Sequence, residues 1–149
     1  MKTENNKRTY LEAMILAERL HRQFLDLIEI ELRRHRIEDI NGVQALMLFN
    51  IGDEQPSVGE VIKRGYYLGT NATYNVHKLV ETGYLIRERS TTDRRAFRIK
   101  VTDKGKRLWE IVDAMVTRQS DALLGTEISP EFEAAYSTLQ RLESAGRAA

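Results

Sequence analysis

One stretch constrains the fold more than any other. Residues 70–82 read as an amphipathic helix that stops at Gly83, and Tyr84–Arg89 follows without a linker. Seven turn-like residues, Ser90–Ala96, separate this arm from Phe97–Val101, which alternates strictly between apolar and basic. Alternation with a period of two is the mark of a half-buried strand, so the two arms form a β-hairpin. Phe97, Ile99 and Val101 are expected to face inward, with Arg98 and Lys100 outward. Thr102-Asp103-Lys104-Gly105 then opens another helix.

The hairpin follows a helix pair. Ser57-Val58-Gly59-Glu60 matches a capping box, in which a serine side chain and a glutamate side chain satisfy each other's backbone N–H groups. That opens a short helix to about Arg64. Gly65–Gly69 makes a turn, and Thr70 or Asn71 caps the next helix. A short capped helix, a turn and a second helix make the helix-turn-helix arrangement, and a hairpin placed directly after it is a wing. In the second helix Ala72, Val76, Leu79 and Val80 share a core-facing side. Thr70, Asn71, Thr73, Tyr74, His77 and Lys78 lie on the other side or at the exposed start. Asn pairs bidentately with adenine and Lys with guanine, while Thr and Tyr reach a phosphate or a thymine methyl.

Long helices flank this unit. Residues 8–34 carry a stripe at Leu11, Met14/Ile15, Leu20, Phe24, Leu27/Ile28 and Leu32, longer than a domain of this size can cover by itself. A partner helix from a second copy is therefore expected. Asn41 caps a mostly apolar helix over 41–51. The helix beginning at Thr102 carries Leu108, Ile111/Val112 and Met115/Val116. Ser129-Pro130-Glu131 gives an N-cap, a proline at the first helical position and an acid in the first turn of a last helix, which bears Phe132, Tyr136, Leu139 and Leu142. The expected fold is mainly α with a small β wing: a lobe over 40–102, dimerisation helices over 8–36 and 103–145, and a flexible 1–7.

Charge is distributed unevenly. Residues 63–107 hold 12 Lys/Arg against 4 Asp/Glu, a net of +8. Residues 1–62 hold 8 against 11, and 108–149 hold 3 against 7. Any solvated surface carries charge, but this concentration favours a polyanion partner. The hairpin tip carries Asp93, Arg94 and Arg95. An arginine at the tip of a thin ribbon suits a narrow minor groove, and Asp93 is suited to fixing the loop from within. Arg87, Arg89, Arg98, Lys100 and Lys63 suit phosphates, which add affinity and salt sensitivity but little specificity.

Other classes are weighed against this reading. The chain has no cysteine, which removes disulfides, thiolate metal ligands and thiol redox sensing. Its first ten residues are polar and no apolar run approaches membrane-spanning length, so a cytoplasmic protein is expected. There is no H-E-x-x-H, no G-x-S-x-G and no phosphate-cradling glycine loop, so no enzyme is read here, and no cofactor. A winged-helix module that binds protein would need an apolar or acidic outer face on the second helix. A zinc-responsive regulator stays open, because His21 or His35 could join Glu18 or Glu38, although no metal ligand is assigned.

The block from Asp93 to Gly105, DRRAFRIKVTDKG, resembles the wing signature of the MarR-type winged helix-turn-helix regulators, and Leu79–Leu85 resembles their recognition-helix ending. The likeness runs from about Arg8 to Leu142. Two departures stand out: Val101 replaces the usual leucine, and Thr70–Asn75 replaces a Ser/Thr-rich start, with Asn75 where many members have an apolar residue. The resemblance implies a homodimer held by the first, fifth and sixth helices on double-stranded DNA at a palindromic operator. It also implies a small organic effector in a pocket between dimer region and lobes, for which Phe24, Leu46, Phe49 and Trp109 are the expected lining. A repressor relieved by that effector is the expected function.

Overall fold

A computed structural model describes residues 1–64, 70–92, 97–125, 127 and 129–148, with only the backbone of Thr70 and Ala148. Its elements run α1 (Lys2–Arg34), α2 (Gly42–Ile51), α3 (Val58–Lys63), α4 (Thr70–Glu81), β1 (Leu85–Arg89), β2 (Phe97–Val101), α5 (Asp103–Leu124) and α6 (Pro130–Ala148). Mostly helical, with one two-stranded antiparallel ribbon, it has the expected winged-helix order. The chain divides into two compact units, Met1–Asp113 and Ala114–Ala149. Among the described residues no helix is long and apolar enough to cross a membrane.

Local chemistry explains the boundaries. In α2 the Asn41 side chain accepts from the Gln44 amide and the Gln44 side chain accepts from the Asn41 amide, both at 2.9 Å. Ser57 and Glu60 make the same reciprocal box at the start of α3. Gly83 closes α4 at φ +85°, a left-handed conformation that side chains disfavour, and the Tyr84 amide donates back to the Leu79 carbonyl at 2.9 Å. Ser129 Oγ accepts from the Phe132 amide at the start of α6. One boundary differs from expectation: α1 begins at Lys2, six residues early. Residues 2–7 contain no Gly or Pro to interrupt the helix.

The core of the first unit joins the end of α1 (Ile28, Leu32) with α2 (Ala45, Met47, Leu48, Ile51), Val61 of α3, and Ala72, Val76 and Leu79 of α4. The ribbon adds Leu85, Ile99 and Val101, and α5 adds Leu108 and Val112. The register pairs Leu85 with Val101 and Arg89 with Phe97. On its other edge β2 meets the α3 N-terminal segment, where the Ile99 amide donates to the Pro56 carbonyl at 2.8 Å. Phe97 corrects the sequence reading. It is 48% exposed, with the Arg89 guanidinium 5.8 Å from its ring centre. Alternation assigned it to the core face correctly in parity, but the core ends at Ile99.

The start of α5 is tied to the turn after α4. Thr102 Oγ1 donates to the Gly83 carbonyl at 2.6 Å and accepts from the Gly105 amide at 3.1 Å. Lys104 Nζ donates to Asp39 at 2.9 Å and to the Thr82 carbonyl at 2.7 Å, and lies 4.3 Å from the Tyr84 ring centre. The Tyr84 hydroxyl donates to the other Asp39 oxygen at 2.8 Å. Partial burial pushes Asp39 upward, but the hydrogen bonds from Lys104 and Tyr84 and the Lys104 charge outweigh it. The carboxyl is held below its ordinary 3.8. Burial, then the Asp39 hydrogen bond and charge, push the Tyr84 phenol up.

A depressed carboxyl stabilises the fold above its unfolded pKa, and that contribution fades as pH falls through the folded value. Asp39→Ala is expected to lower unfolding free energy at pH 7 by about 1 kcal/mol, the value for a charged hydrogen-bonded pair discounted for its exposure. The gap to the parent chain should begin to narrow near the ordinary 3.8 and close only as pH falls through the lower folded value. Urea titrations across that range test this, and a gap independent of pH would contradict it.

Candidate nucleic-acid interface

The outer side of α4 carries the residues expected there. Asn71, Thr73 and His77 are exposed, Tyr74 is 61% exposed, and Lys78 is half-buried, 4.0 Å from Glu81. Thr70 is the first residue of the helix, and its side chain lies outside the described residues. The opposite side is core, with Ala72, Val76 and Leu79 fully buried. The low helix propensity of Thr and Asn is offset by this packed face.

The ribbon places its cations differently from one another. Arg87 and Arg89 of β1 and Lys100 of β2 are exposed, as is Lys63 at the end of α3. Arg98 is committed within the protein: its guanidinium donates to the Gln55 carbonyl at 3.1 Å and lies 3.7 Å from Glu60. That contact pins β2 to the start of α3. Asp93, Arg94 and Arg95 lie outside the described residues.

Tertiary structure brings Arg87 alongside Thr73, Tyr74 and His77, and the four side chains line one open depression. Thr73 and Arg87 are fourteen positions apart in the sequence, and the tight turn at Gly83 closes that distance. A cation beside a hydroxyl, a phenol and an imidazole provides donors for phosphate oxygens and base edges.

Asn75 belongs to the same helix but not to the same face. It is 7% exposed, and its Oδ1 accepts from Gln44 Nε2 at 3.2 Å; Gln44 is 3% exposed. The departure from an apolar residue is matched by a polar partner on α2. Nothing local in the sequence pairs positions 44 and 75; a polar residue on an otherwise apolar helix is the one sign of it.

The four expected pocket residues separate into two places. Phe24 and Leu46 line a cavity of about 600 Å³ formed by α1, α2 and α4. Phe49 and Trp109 stack on each other with ring centres 5.2 Å apart, and Trp109 Nε1 donates to the Phe49 carbonyl at 3.1 Å. His21 also lines this cavity, whereas His35 lies 3.5 Å from Glu31. Among the described residues, no three His, Asp or Glu side chains gather to hold a metal ion.

Comparison with known proteins bears on this geometry. The sequence pattern of the MarR family matches residues 38–96. The chain is 36% identical over 136 residues to the exopolysaccharide II synthesis transcriptional activator ExpG of Rhizobium meliloti (strain 1021), across 91% of this chain and 70% of that protein. Streptococcus pneumoniae FabT in complex with DNA superposes with a TM-score of 0.74 at 20% identity, covering 93% of this chain and 97% of that one. Staphylococcus aureus MarR in complex with salicylate and kanamycin gives 0.72 at 24% identity, covering 97% and 94%.

The buried amide pair yields a stability test. Gln44→Leu and Asn75→Leu each strand a polar partner in the core and are expected to cost about 1–3 kcal/mol. The double variant should cost less than the two losses added together, because neither amide is then left unpaired. Strict additivity in a urea-denaturation cycle would argue against the pairing.

Proposed function

The chain belongs to the MarR family of transcriptional regulators, and from that premise we propose that it is a DNA-binding regulator acting as a homodimer on a palindromic operator. Membership makes it a regulator rather than an enzyme. The observation that carries the reading is the joined surface of α4 and β1, where Arg87 stands beside the polar outer face of a helix whose other side is core. FabT, of the same fold, is known in complex with DNA.

In this reading α4 of each protomer enters a major groove, and the two grooves lie about 34–36 Å apart, one turn of the duplex. Asn71, Thr73, Tyr74, His77 and Lys78, with Thr70 at the helix start, face base edges and the nearest phosphates. Arg95, with Arg94, enters the flanking minor groove, while Asp93 steadies the loop from inside. Arg87, Arg89, Lys100 and Lys63 meet phosphates. Arg98, engaged with Glu60 and Gln55, serves them chiefly by holding β2 in place.

Dimerisation rests on surface that one chain leaves open. Tyr10, Leu11, Ile15, Leu16 and Leu20 of α1 are exposed, and within the second unit so are Phe132, Tyr136, Leu139 and Leu142 of α6. Apolar stripes of this length in water call for a partner, and a second copy supplies two-fold symmetry to match a palindrome. The expected sign of control is repression, relieved by a small organic effector. ExpG is named an activator, and transcription from a promoter carrying the selected site, measured with and without the chain, decides the sign.

Selection of duplex DNA by the purified chain should recover a palindrome with half-sites one turn apart. On that site Arg95→Ala is expected to weaken binding by about 1–3 kcal/mol without changing the dimer seen by sedimentation. Arg87→Ala should weaken binding to all sequences alike and reduce the salt slope by about 1. A monomer that ignores duplex DNA at low ionic strength would end this reading.

A further inference from the structure

The cavity among α1, α2 and α4 has a distinctive chemistry. Phe24, Leu25, Val43 and Leu46 give it an apolar wall. Its polar groups are amides and ring groups: Asn41 and Asn50 with His21 on one side, Asn71, Tyr74 and Asn75 from α4 on the other. Among the described residues that line it, none is Lys, Arg, Asp or Glu. A carboxylate entering such a site loses hydration and meets no fixed cation, which disfavours burial of the charge. A neutral carbonyl, amide or hydroxyl loses far less, because a primary amide side chain both donates and accepts.

The cavity also touches a connected run of hydrogen bonds. Glu29 of α1 accepts from the Gly42 amide at 2.6 Å. Asn41 and Gln44 cap α2 reciprocally, and Gln44 then donates to Asn75 of α4. Two members of this run, Asn41 and Asn75, face the cavity. Asn71 and Tyr74 face it as well, and both belong to the surface assigned above to DNA.

We propose that this cavity binds an uncharged organic molecule, with an apolar body and an amide- or ester-type carbonyl, that grips α4 through Asn71, Tyr74 and Asn75. The proposal rests on the reading of α4 as the DNA-facing helix and names the chemical class of its effector. Such a molecule holds the same side chains that the operator needs. It also competes for the amide that seats α4 on α2. Binding that engages the free protein more strongly than the DNA-bound one lowers operator affinity by that same ratio.

The test uses a matched pair of probes on the full-length chain at pH 7, salicylamide and salicylate, which differ in a carboxamide against a carboxylate. Ligand-observed NMR and calorimetry are expected to show salicylamide binding at least about tenfold more tightly. Leu46→Trp, which fills the cavity, should abolish that binding, and the wild-type comparison decides the ligand class even if this variant does not fold. Equal or tighter binding of salicylate overturns the proposal. So does salicylamide binding that a folded Leu46→Trp variant retains, or no binding of either probe at millimolar concentration. If neither probe binds and Leu46→Trp breaks the dimer, a segment of the second copy occupies the cavity instead. Duplex binding is measured in parallel: a chain that binds DNA but neither probe loses only this proposal, and a chain that ignores DNA loses the regulator reading while the probe titration still decides the ligand class.

Discussion

Gly105 lies against the backbone of Tyr84 so closely that a side chain there would overlap the Tyr84 carbonyl. It would also sit 2.7 Å from Val101 Cγ1 and 3.2 Å from Leu48 Cδ1. This approach sets the start of α5 against the turn that follows α4. Thr102 caps α5 while holding the Gly83 carbonyl, and Lys104 spans Asp39, Thr82 and the Tyr84 ring. The residues between α1 and α2, the end of α4, the base of the ribbon and the start of α5 thereby share one knot. Packing of this density leaves little freedom for the helix that faces outward.

From that knot the ribbon extends past its own core. Leu85 and Val101 are buried at its base, whereas Phe97 and Arg89 at its far end are exposed and stack on each other. A ribbon anchored at one end and solvated at the other can carry cations away from the protein without burying them. Arg98 shows what the anchoring requires, since it binds Glu60 and the Gln55 carbonyl. Counting positive charge along the chain therefore overstates what is offered to a polyanion, because Glu60 already pairs with Arg98.

Much of this was legible in the residues. Reciprocal caps at Asn41 and Ser57, the stop at Gly83 and the span Phe97–Val101 follow from local chemistry, because each depends on neighbours within about four residues. The polar outer face of α4 was legible for the same reason: helical period alone separates it from Ala72, Val76 and Leu79. Phe97 was misread because alternation assigns a face but not how far the core reaches along it. The family resemblance groups Phe49 and Trp109 with Phe24 and Leu46 as pocket lining, yet they stack on each other.

The sequence by itself determined the order of the elements, their ends and the sign of charge on the middle third, since propensity, capping and period act over short separations. Only tertiary structure decided that Arg87 joins Thr73, Tyr74 and His77, that Arg98 pairs with Glu60 and the Gln55 carbonyl, and that Asn75 is buried against Gln44 across 31 positions. Such partners are brought together by how helices and ribbon pack on one another, and packing between distant segments leaves no local pattern to read.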